Sequence, residues 1–165
     1  MKAGVSKDST IAIFNAQSAL LPSLLCYSTY DEETMNFPVI SAFTAATLAL
    51  FQMLLMVVVV LTRAKYKVGI GDGGHADLAR RIRSHANLTE NAPIFLVILT
   101  LLEISSMNQT ILIALAAIFI IARLSHAYIV SQTSEAHPLR IFGGASTALT
   151  IITTAGLLLW QSPKM

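Results

Sequence analysis

The sequence predicts an all-α integral membrane protein, a bundle of four transmembrane helices. Three observations predict this class. Hydrophobic residues make up 55% of the 165 residues and charged residues only 12%, about half of the roughly 25% that is typical of a soluble domain. Mean hydropathy is +0.67. The charged residues are clustered and leave long uncharged stretches between them. We therefore expect the lipid bilayer, together with other subunits, to cover the apolar surface of a single domain.

Two uncharged stretches are long enough to cross a bilayer by themselves. Residues 37–61 and residues 141–160 carry no charged side chain, and roughly 20 apolar residues cross the ~30 Å hydrocarbon core. Two shorter apolar runs, 92–102 and 110–122, reach that length only when neighbouring polar residues are included. The four predicted spans are 37–62, 77–102, 109–131 and 139–161, within a transmembrane domain of residues 37–165.

The N-terminal extension, residues 1–36, has two interpretations. Residues 11–27 are apolar enough to enter a membrane, and Lys2 and Lys7 precede them, which is typical of a signal-like segment or of a fifth membrane-associated helix. Polar residues within that run favour a loosely ordered extension instead. The sequence pattern leaves both interpretations open.

The polar parts of the second and third predicted helices fall at the same end of the bundle. A short loop, residues 103–109, joins these helices, so they are expected to run antiparallel. The second helix is polar over residues 77–91, and the third is polar towards its end, at Arg123, His126 and Tyr128. Polar side chains at membrane depth are tolerated inside a bundle or against a wet cavity. The pattern therefore predicts a polar pocket between helices.

The basic residues predict the orientation of this pocket. They are concentrated in the first loop and its flanks and recur at Arg140, whereas the 103–109 loop has none. By the positive-inside rule, the polar end faces the cytoplasm. The basic residues around the first loop are Arg63, Lys65, Lys67, Arg80, Arg81 and Arg83.

Several classes of partner are disfavoured. The net charge of +2 is modest, which argues against nucleic acid. Cys26 is the only cysteine, and the four histidines lack the usual helical spacing of a metal-binding pair, so no metal site is expected. Gly69, Gly71 and Gly74 have the spacing of a dinucleotide-binding fingerprint, but that motif requires a preceding buried strand. We interpret these glycines as a turn between helices.

The second predicted helix carries a polar stripe. Arg80, Arg83, Asn87 and Glu90 are spaced by three, four and three residues, so they share one face. A glutamate facing lipid is costly, and we therefore expect Arg83, Asn87 and Glu90 to point inward. Arginine offers a fork of donors to a carboxylate and glutamate accepts an ammonium, so the set suits a small zwitterionic or peptide-like ligand. For Arg80, snorkelling to lipid phosphates is an equal alternative.

Three further residues are candidates on the third and fourth helices. Arg123 is either a ligand contact or a structural bridge to Glu90. His126 serves either in packing or in ligand contact. Arg140 either stabilises a bound thiolate or is a positive-inside anchor. The small residues that follow it, 143–148, predict close packing of the fourth helix.

Two segments resemble the MAPEG family, the membrane-associated proteins in eicosanoid and glutathione metabolism. These segments are residues 80–93, with the sequence RRIRSHANLTENAP, and residues 122–127, with the sequence ARLSHA. Residues 66–74 are similar to the first loop of bacterial members of the family. The resemblance extends over about residues 37–160.

The resemblance implies a homotrimer of four-helix protomers, located in the bacterial inner membrane, with glutathione bound between subunits as a co-substrate. The positions that contact glutathione in the family correspond to Arg83, Asn87 and Glu90. Further polar positions near that site correspond to Arg80, Arg123 and His126. The arginine that stabilises the glutathione thiolate in some members corresponds to Arg140, the candidate catalytic residue.

The implied activity is that of a glutathione transferase or peroxidase acting on an apolar small molecule. The chain departs from eukaryotic relatives that have a tyrosine or serine late in the third helix and early in the fourth, since it has Val130, Ile141 and Gly144 there. This departure motivates an alternative, a non-catalytic membrane protein of the same fold that binds lipid or acts as a scaffold.

Overall fold

The structure of the protein is a computed structural model that describes residues 37–133 and 137–162. These residues form four α-helices, α1 (Val39–Tyr66), α2 (Ala76–Ile104), α3 (Gln109–Gln132) and α4 (Pro138–Gln161). No strand occurs within the described ranges. The predicted all-α class is therefore confirmed. Both interpretations of residues 1–36 concern a segment that lies outside the described residues.

Each of the four helices is long and apolar enough to cross a membrane. They contain 28, 29, 24 and 24 residues. At a rise of ~1.5 Å per residue the shorter ones are about 36 Å long, which exceeds the ~30 Å hydrocarbon core. Large apolar side chains such as Phe43, Leu50 and Leu159 are exposed along their outer faces. Such surfaces are stable against lipid, so the four helices form a membrane-embedded bundle.

Neighbouring helices run antiparallel. Ser84, early in α2, donates a 3.4 Å hydrogen bond to the carbonyl of Ala127, late in α3. Phe95, further along α2, stacks on Phe119, which comes earlier in α3. As residue number rises along α2 it therefore falls along α3. The predicted antiparallel arrangement of these two helices is confirmed, and their polar halves lie at the same end.

The apolar core lies beside this polar end, mainly between α2 and α3. Phe95 and Phe119 are fully buried, with ring centroids 3.9 Å apart and an angle of 7° between the ring planes. Leu99, Leu102 and Leu112 extend the buried cluster towards the opposite end of the bundle. Close-packed aromatic and leucine side chains thus fix how α2 and α3 are rotated against each other.

Buried threonines satisfy their hydroxyl groups within their own helices. Each donates a 2.7 Å hydrogen bond to the backbone carbonyl four residues earlier, which hides the donor from lipid. The threonines concerned are Thr44, Thr62, Thr150 and Thr154.

The α1–α2 loop is held by its own hydrogen bonds. Arg63 donates from Nη1 to the carbonyls of Gly69 and Gly71, at 3.1 and 3.0 Å. The rings of Tyr66 and His75 stack with their centroids 4.1 Å apart. The glycines of the apparent dinucleotide fingerprint therefore lie in a turn that follows a helix, as we interpreted them.

Glu103 caps the N-terminus of α1 at the opposite end of the bundle. Its carboxylate accepts hydrogen bonds from the backbone N–H of Ile40 at 2.8 Å and of Ser41 at 2.7 Å, and from the Ser41 hydroxyl at 2.6 Å. The first N–H groups of a helix have no partner within that helix. The end of α2 supplies the acceptor that the start of α1 lacks, which ties the two helices together.

Candidate functional site

Arg123 is the centre of a polar cluster that joins three helices. Its side chain extends from α3 and is almost fully buried, with 3% of its surface exposed. Nη1 donates to the side-chain oxygen of Asn87 on α2. Nη2 donates to the carbonyl of Gly143 at 3.1 Å and to the hydroxyl of Thr147, both on α4. The structure does not form the bridge from Arg123 to Glu90 that the sequence left as an alternative.

Because α4 packs closely against α3, Gly143 and Thr147 of α4 lie within hydrogen-bond distance of Arg123. A Cβ atom built on Gly143 would lie 2.9 Å from Cβ of His126 and 3.1 Å from the carbonyl oxygen of Ala122. A side chain at position 143 would clash with α3. Because glycine has none, the backbone of α4 comes close enough for the Gly143 carbonyl to accept from Arg123. The close packing predicted from the small residues 143–148 is confirmed at Gly143, whereas Gly144 has no atom within 4 Å of a built Cβ.

The guanidinium of Arg123 is held by neutral groups. Its hydrogen-bond partners are an amide, a carbonyl and a hydroxyl. The central carbon of the guanidinium lies 5.9 Å from the ring centroid of Phe119, a cation–π contact with the apolar core. Its Nε–H is buried and has no hydrogen-bond partner within the described residues. A buried cation without a carboxylate attracts an anion strongly.

His126 lies at the same end of the bundle as arginines of three helices. This histidine lies one turn after Arg123 on α3 and is 8% exposed. The charges of Arg123, of Arg140 on α4 and of Arg83 on α2 all act on its ring. The structure therefore brings these four predicted site residues into one neighbourhood, although they are far apart in the sequence.

Arg83 and Glu90 form an ion pair on the outer face of α2. Their closest nitrogen and oxygen atoms are 3.2 Å apart, and their side chains are 56% and 53% exposed. At 100° per residue, positions 83 and 90 lie within roughly 20° of each other around the helix and roughly 40–60° from position 87. Asn87 therefore faces α3, while Arg83 and Glu90 lie beyond the edge of that contact. The expectation that all three point inward holds for Asn87 and is wrong for the other two within one chain.

The remaining predicted site residues lie at the same end of the bundle. Arg80 is in the first turns of α2, with Nη2 3.7 Å from Oδ1 of Asp77. Arg140 is in the first turn of α4 and is partly exposed. The roles assigned to these two arginines stay predictions, including the alternatives of lipid contact for Arg80 and a positive-inside anchor for Arg140.

The sequence did not predict two polar contacts at this depth. One is the hydroxyl of Thr147, which accepts from Arg123 and belongs to the run of small residues, 143–148, for which the sequence predicts only packing. The other involves Gln52 of α1, whose Nε2 lies 2.7 Å from Nε2 of His85 and 2.6 Å from the hydroxyl of Thr89. A glutamine near the middle of the longest uncharged stretch was the available signal for the second contact.

The fold and the cluster together define a class of protein: a four-helix membrane protein with a buried arginine, Arg123, hydrogen-bonded across three helices near the polar end of the bundle. The chain belongs to the MAPEG family, whose sequence model matches residues 41–160. The resemblance seen in the two sequence segments is thereby confirmed.

Two relatives of the chain are inner membrane proteins of Escherichia coli. Inner membrane protein YecN of Escherichia coli strain K12 is 33% identical over 89 residues, which cover 54% of this chain and 68% of the relative. A protein of the same name from Escherichia coli O6:H1, strain CFT073, has the same identity and coverage. Four helices able to span a membrane, together with these relatives, support an integral inner membrane protein.

Proposed function

We propose that this protein is a membrane-bound glutathione transferase with peroxidase-like capacity, which conjugates the thiolate of glutathione to apolar electrophiles. The observation that carries the proposal is the buried guanidinium of Arg123, which is 3% exposed and has only neutral groups of α2 and α4 as its hydrogen-bond partners. Arg83 is paired with Glu90, whereas Arg123 has no carboxylate among its partners and leaves a positive charge beside an apolar core. Such a site suits a small anion that has to meet an apolar reactant.

The chemistry of glutathione matches this set of side chains. The tripeptide carries two carboxylates, one ammonium and a thiol. In the proposal, Arg83 binds a carboxylate through its fork of donors and Glu90 binds the ammonium, while Asn87 offers both a donor and an acceptor. Arg80, Arg123 and His126 supply further polar contacts. Arg140 stabilises the thiolate, which is the nucleophilic form of the thiol.

The reaction is a substitution at the carbon of the electrophile. The thiol proton passes to water, the thiolate sulfur forms a bond to carbon, and the leaving group departs with the electron pair of the broken bond. An apolar electrophile arrives from the lipid. In the proposal the electrophile meets the thiolate at the border between the polar cluster and the apolar core, where Arg123 lies 5.9 Å from the ring centroid of Phe119.

The proposal includes a homotrimer with its sites between subunits on the cytoplasmic side. The Arg83–Glu90 pair is more than half exposed in one chain, and a charged pair facing lipid is costly. A second copy of the chain packed against this face of α2 would cover the pair and complete the binding site. Native mass spectrometry in detergent measures the expected trimer mass directly.

The test of catalysis uses the purified chain in detergent, with glutathione and 1-chloro-2,4-dinitrobenzene. We expect conjugation above the uncatalysed rate, with release of chloride. Removal of one electrostatic stabiliser of a developing or bound anion typically lowers kcat by roughly 10²–10³-fold, and we expect a fall of that order for Arg140→Ala. Arg140→Lys should retain part of the rate because it keeps the charge.

The matched control for Arg140 is Lys67→Gln, which removes an exposed cation from the same end of the bundle. It should leave kcat unchanged. Calorimetry with glutathione and the ultraviolet absorbance of the bound thiolate separate binding from chemistry. No turnover and no thiolate signal in protein that remains folded would reject the transferase proposal.

A second candidate is a non-catalytic protein of the same fold that binds lipid in the cluster or acts as a scaffold. The observation that favours it is the lack of hydroxyl groups at Val130, Ile141 and Gly144. Val130 is 3% exposed and packs within the bundle, whereas Ile141 lies on the surface. Saturable lipid binding at the cluster without affinity for glutathione would support this candidate, and tight glutathione binding would count against it.

A further inference from the structure

A cleft of about 250 Å³ opens between α1 and α2 at the basic end of the bundle. It lies where the end of α1 meets the start of α2, next to the α1–α2 loop. None of the residues assigned to the glutathione site lines it. Its lining residues are Val58, Leu61, Thr62, Lys65, Asp77 and Arg81.

The loop end of this cleft is positively charged. Lys65 and Arg81 contribute two cations, and Asp77 contributes one carboxylate. Nε of Arg81 donates to Oδ1 of Asp77 at 3.1 Å, which orients the guanidinium and leaves its terminal nitrogens for another acceptor. Two cations against one carboxylate make the cleft complementary to an anion.

The other end of the cleft is apolar and continues along α1. Val58 and Leu61 line it there. Leu61 also ends a row of exposed apolar side chains with Leu50, Leu54 and Val57. Their spacings of four, three and four residues place them on one face of the helix. A ligand in the cleft therefore meets cations at the membrane surface and a continuous apolar track below it.

We propose that this cleft binds the headgroup of an anionic phospholipid. The phosphodiester lies between Lys65 and Arg81, and an acyl chain follows the exposed row of α1. Basic pockets between helices at the membrane surface bind anionic headgroups. The cleft is smaller than the roughly 300–1,000 Å³ of pockets for drug-sized ligands, which fits a headgroup whose acyl chains stay in the bilayer. The proposal is independent of the glutathione site.

The test is native mass spectrometry of the delipidated full chain in detergent, titrated with dioleoylphosphatidylglycerol. We expect one phosphatidylglycerol to bind more tightly than dioleoylphosphatidylcholine. Lys65→Gln should weaken that binding about fivefold, which corresponds to about 1 kcal/mol for one basic group near an anionic headgroup. The matched control is Lys67→Gln, which removes an exposed charge two residues away that does not line the cleft, and it should change the affinity less than twofold.

A second variant tests the cleft by steric block, without changing the charge of the protein. Leu61 is 65% exposed, so Leu61→Trp is tolerated and places a ring in the cleft. It should weaken phosphatidylglycerol binding, whereas Leu149→Trp, at an equally exposed position on α4, should not. Equal losses from Lys65→Gln and Lys67→Gln would show diffuse attraction and overturn the proposal.

Soluble glycerol 1-phosphate distinguishes a lipid from a free phosphate ester. In excess, it should fail to displace phosphatidylglycerol, because it lacks the acyl chains that contact α1. Displacement at concentrations comparable to those of the lipid would overturn the lipid assignment. The variant titrations and the competition with glycerol 1-phosphate both measure lipid binding and do not measure turnover. Their results therefore do not depend on whether the protein is a transferase.

Discussion

Replacing Glu103 with alanine should destabilise the bundle by separating the start of α1 from the end of α2. The carboxylate accepts two backbone N–H groups, at 2.8 and 2.7 Å, and the hydroxyl of Ser41, at 2.6 Å. Alanine removes all three acceptor contacts at once. Ser41 is 3% exposed, so its N–H and hydroxyl would be left poorly solvated.

The magnitude follows from the number and kind of these bonds. A hydrogen bond to a charged group contributes ~1.5–3 kcal/mol, so three independent buried ones would give roughly 4.5–9 kcal/mol. Glu103 is only partly buried and lies at a helix end, where water replaces part of the loss. Losses of ~0.5–2 kcal/mol on removal of helix N-caps set the lower bound. We therefore expect Glu103→Ala to lower the free energy of unfolding by about 2–4 kcal/mol.

The assay is equilibrium unfolding in mixed detergent micelles by titration with dodecyl sulfate, followed by circular dichroism and by the fluorescence of Trp160, the single tryptophan. Ser41→Ala removes only the hydroxyl bond and should cost about 1 kcal/mol. Because the two residues are in contact, the double variant should lose about 1 kcal/mol less free energy of unfolding than the sum of the losses in the two single variants. A Glu103→Ala protein as stable as the unmodified chain, or fully additive losses, would refute the capping role.

Two further predictions concern the packing of α4 and use matched pairs of variants, measured by the same unfolding titration. Gly143→Ala should lower the free energy of unfolding by about 1–3 kcal/mol, because its Cβ would force α3 and α4 apart. Gly144→Ala, with open space around it, should be neutral or stabilising by up to about 1 kcal/mol; similar losses in both would contradict the close approach. Thr147→Val should cost about 1–3 kcal/mol, since it leaves Arg123 with an unpaired donor. Thr150→Val, which removes only a bond within its own helix, should cost less, and equal costs would count against a structural role of the arginine contact.

Much of the fold could be predicted from the sequence because hydrophobicity, together with the positions of the charged residues, largely determines which segments enter a membrane. The uncharged stretches and the short 103–109 loop were enough to predict four helices and an antiparallel pair. The same reasoning placed the polar halves of α2 and α3 at one end, where Asn87 and Arg123 meet.

The contacts within the cluster could not be predicted in the same way. Spacing along α2 shows that Arg83, Asn87 and Glu90 share a face, but it does not show how that face is rotated towards its neighbours. Rotation depends on packing, and here the stacked phenylalanines and the close approach at Gly143 decide it. Asn87 consequently turns to α3, whereas Arg83 and Glu90 pair on the outer face.

The cap at Glu103 escaped prediction for a different reason. Its partners are 62 and 63 residues away in the sequence, and a glutamate between two apolar runs is typical of a loop residue. The sequence contains no pattern that links it to the start of α1. Contacts of this kind become visible only when the helices have been placed side by side.

The threonines that bond to their own helices have a consequence for biogenesis. A helix that satisfies its hydroxyls internally can enter the bilayer as an independent unit and find its neighbours afterwards. Arg123 behaves differently, because its acceptors belong to α2 and α4. During synthesis, α3 would therefore emerge with only one of these acceptors, Asn87 of α2, already in place. Because α4 provides the remaining acceptors, we expect the insertion of these last two helices to be coupled.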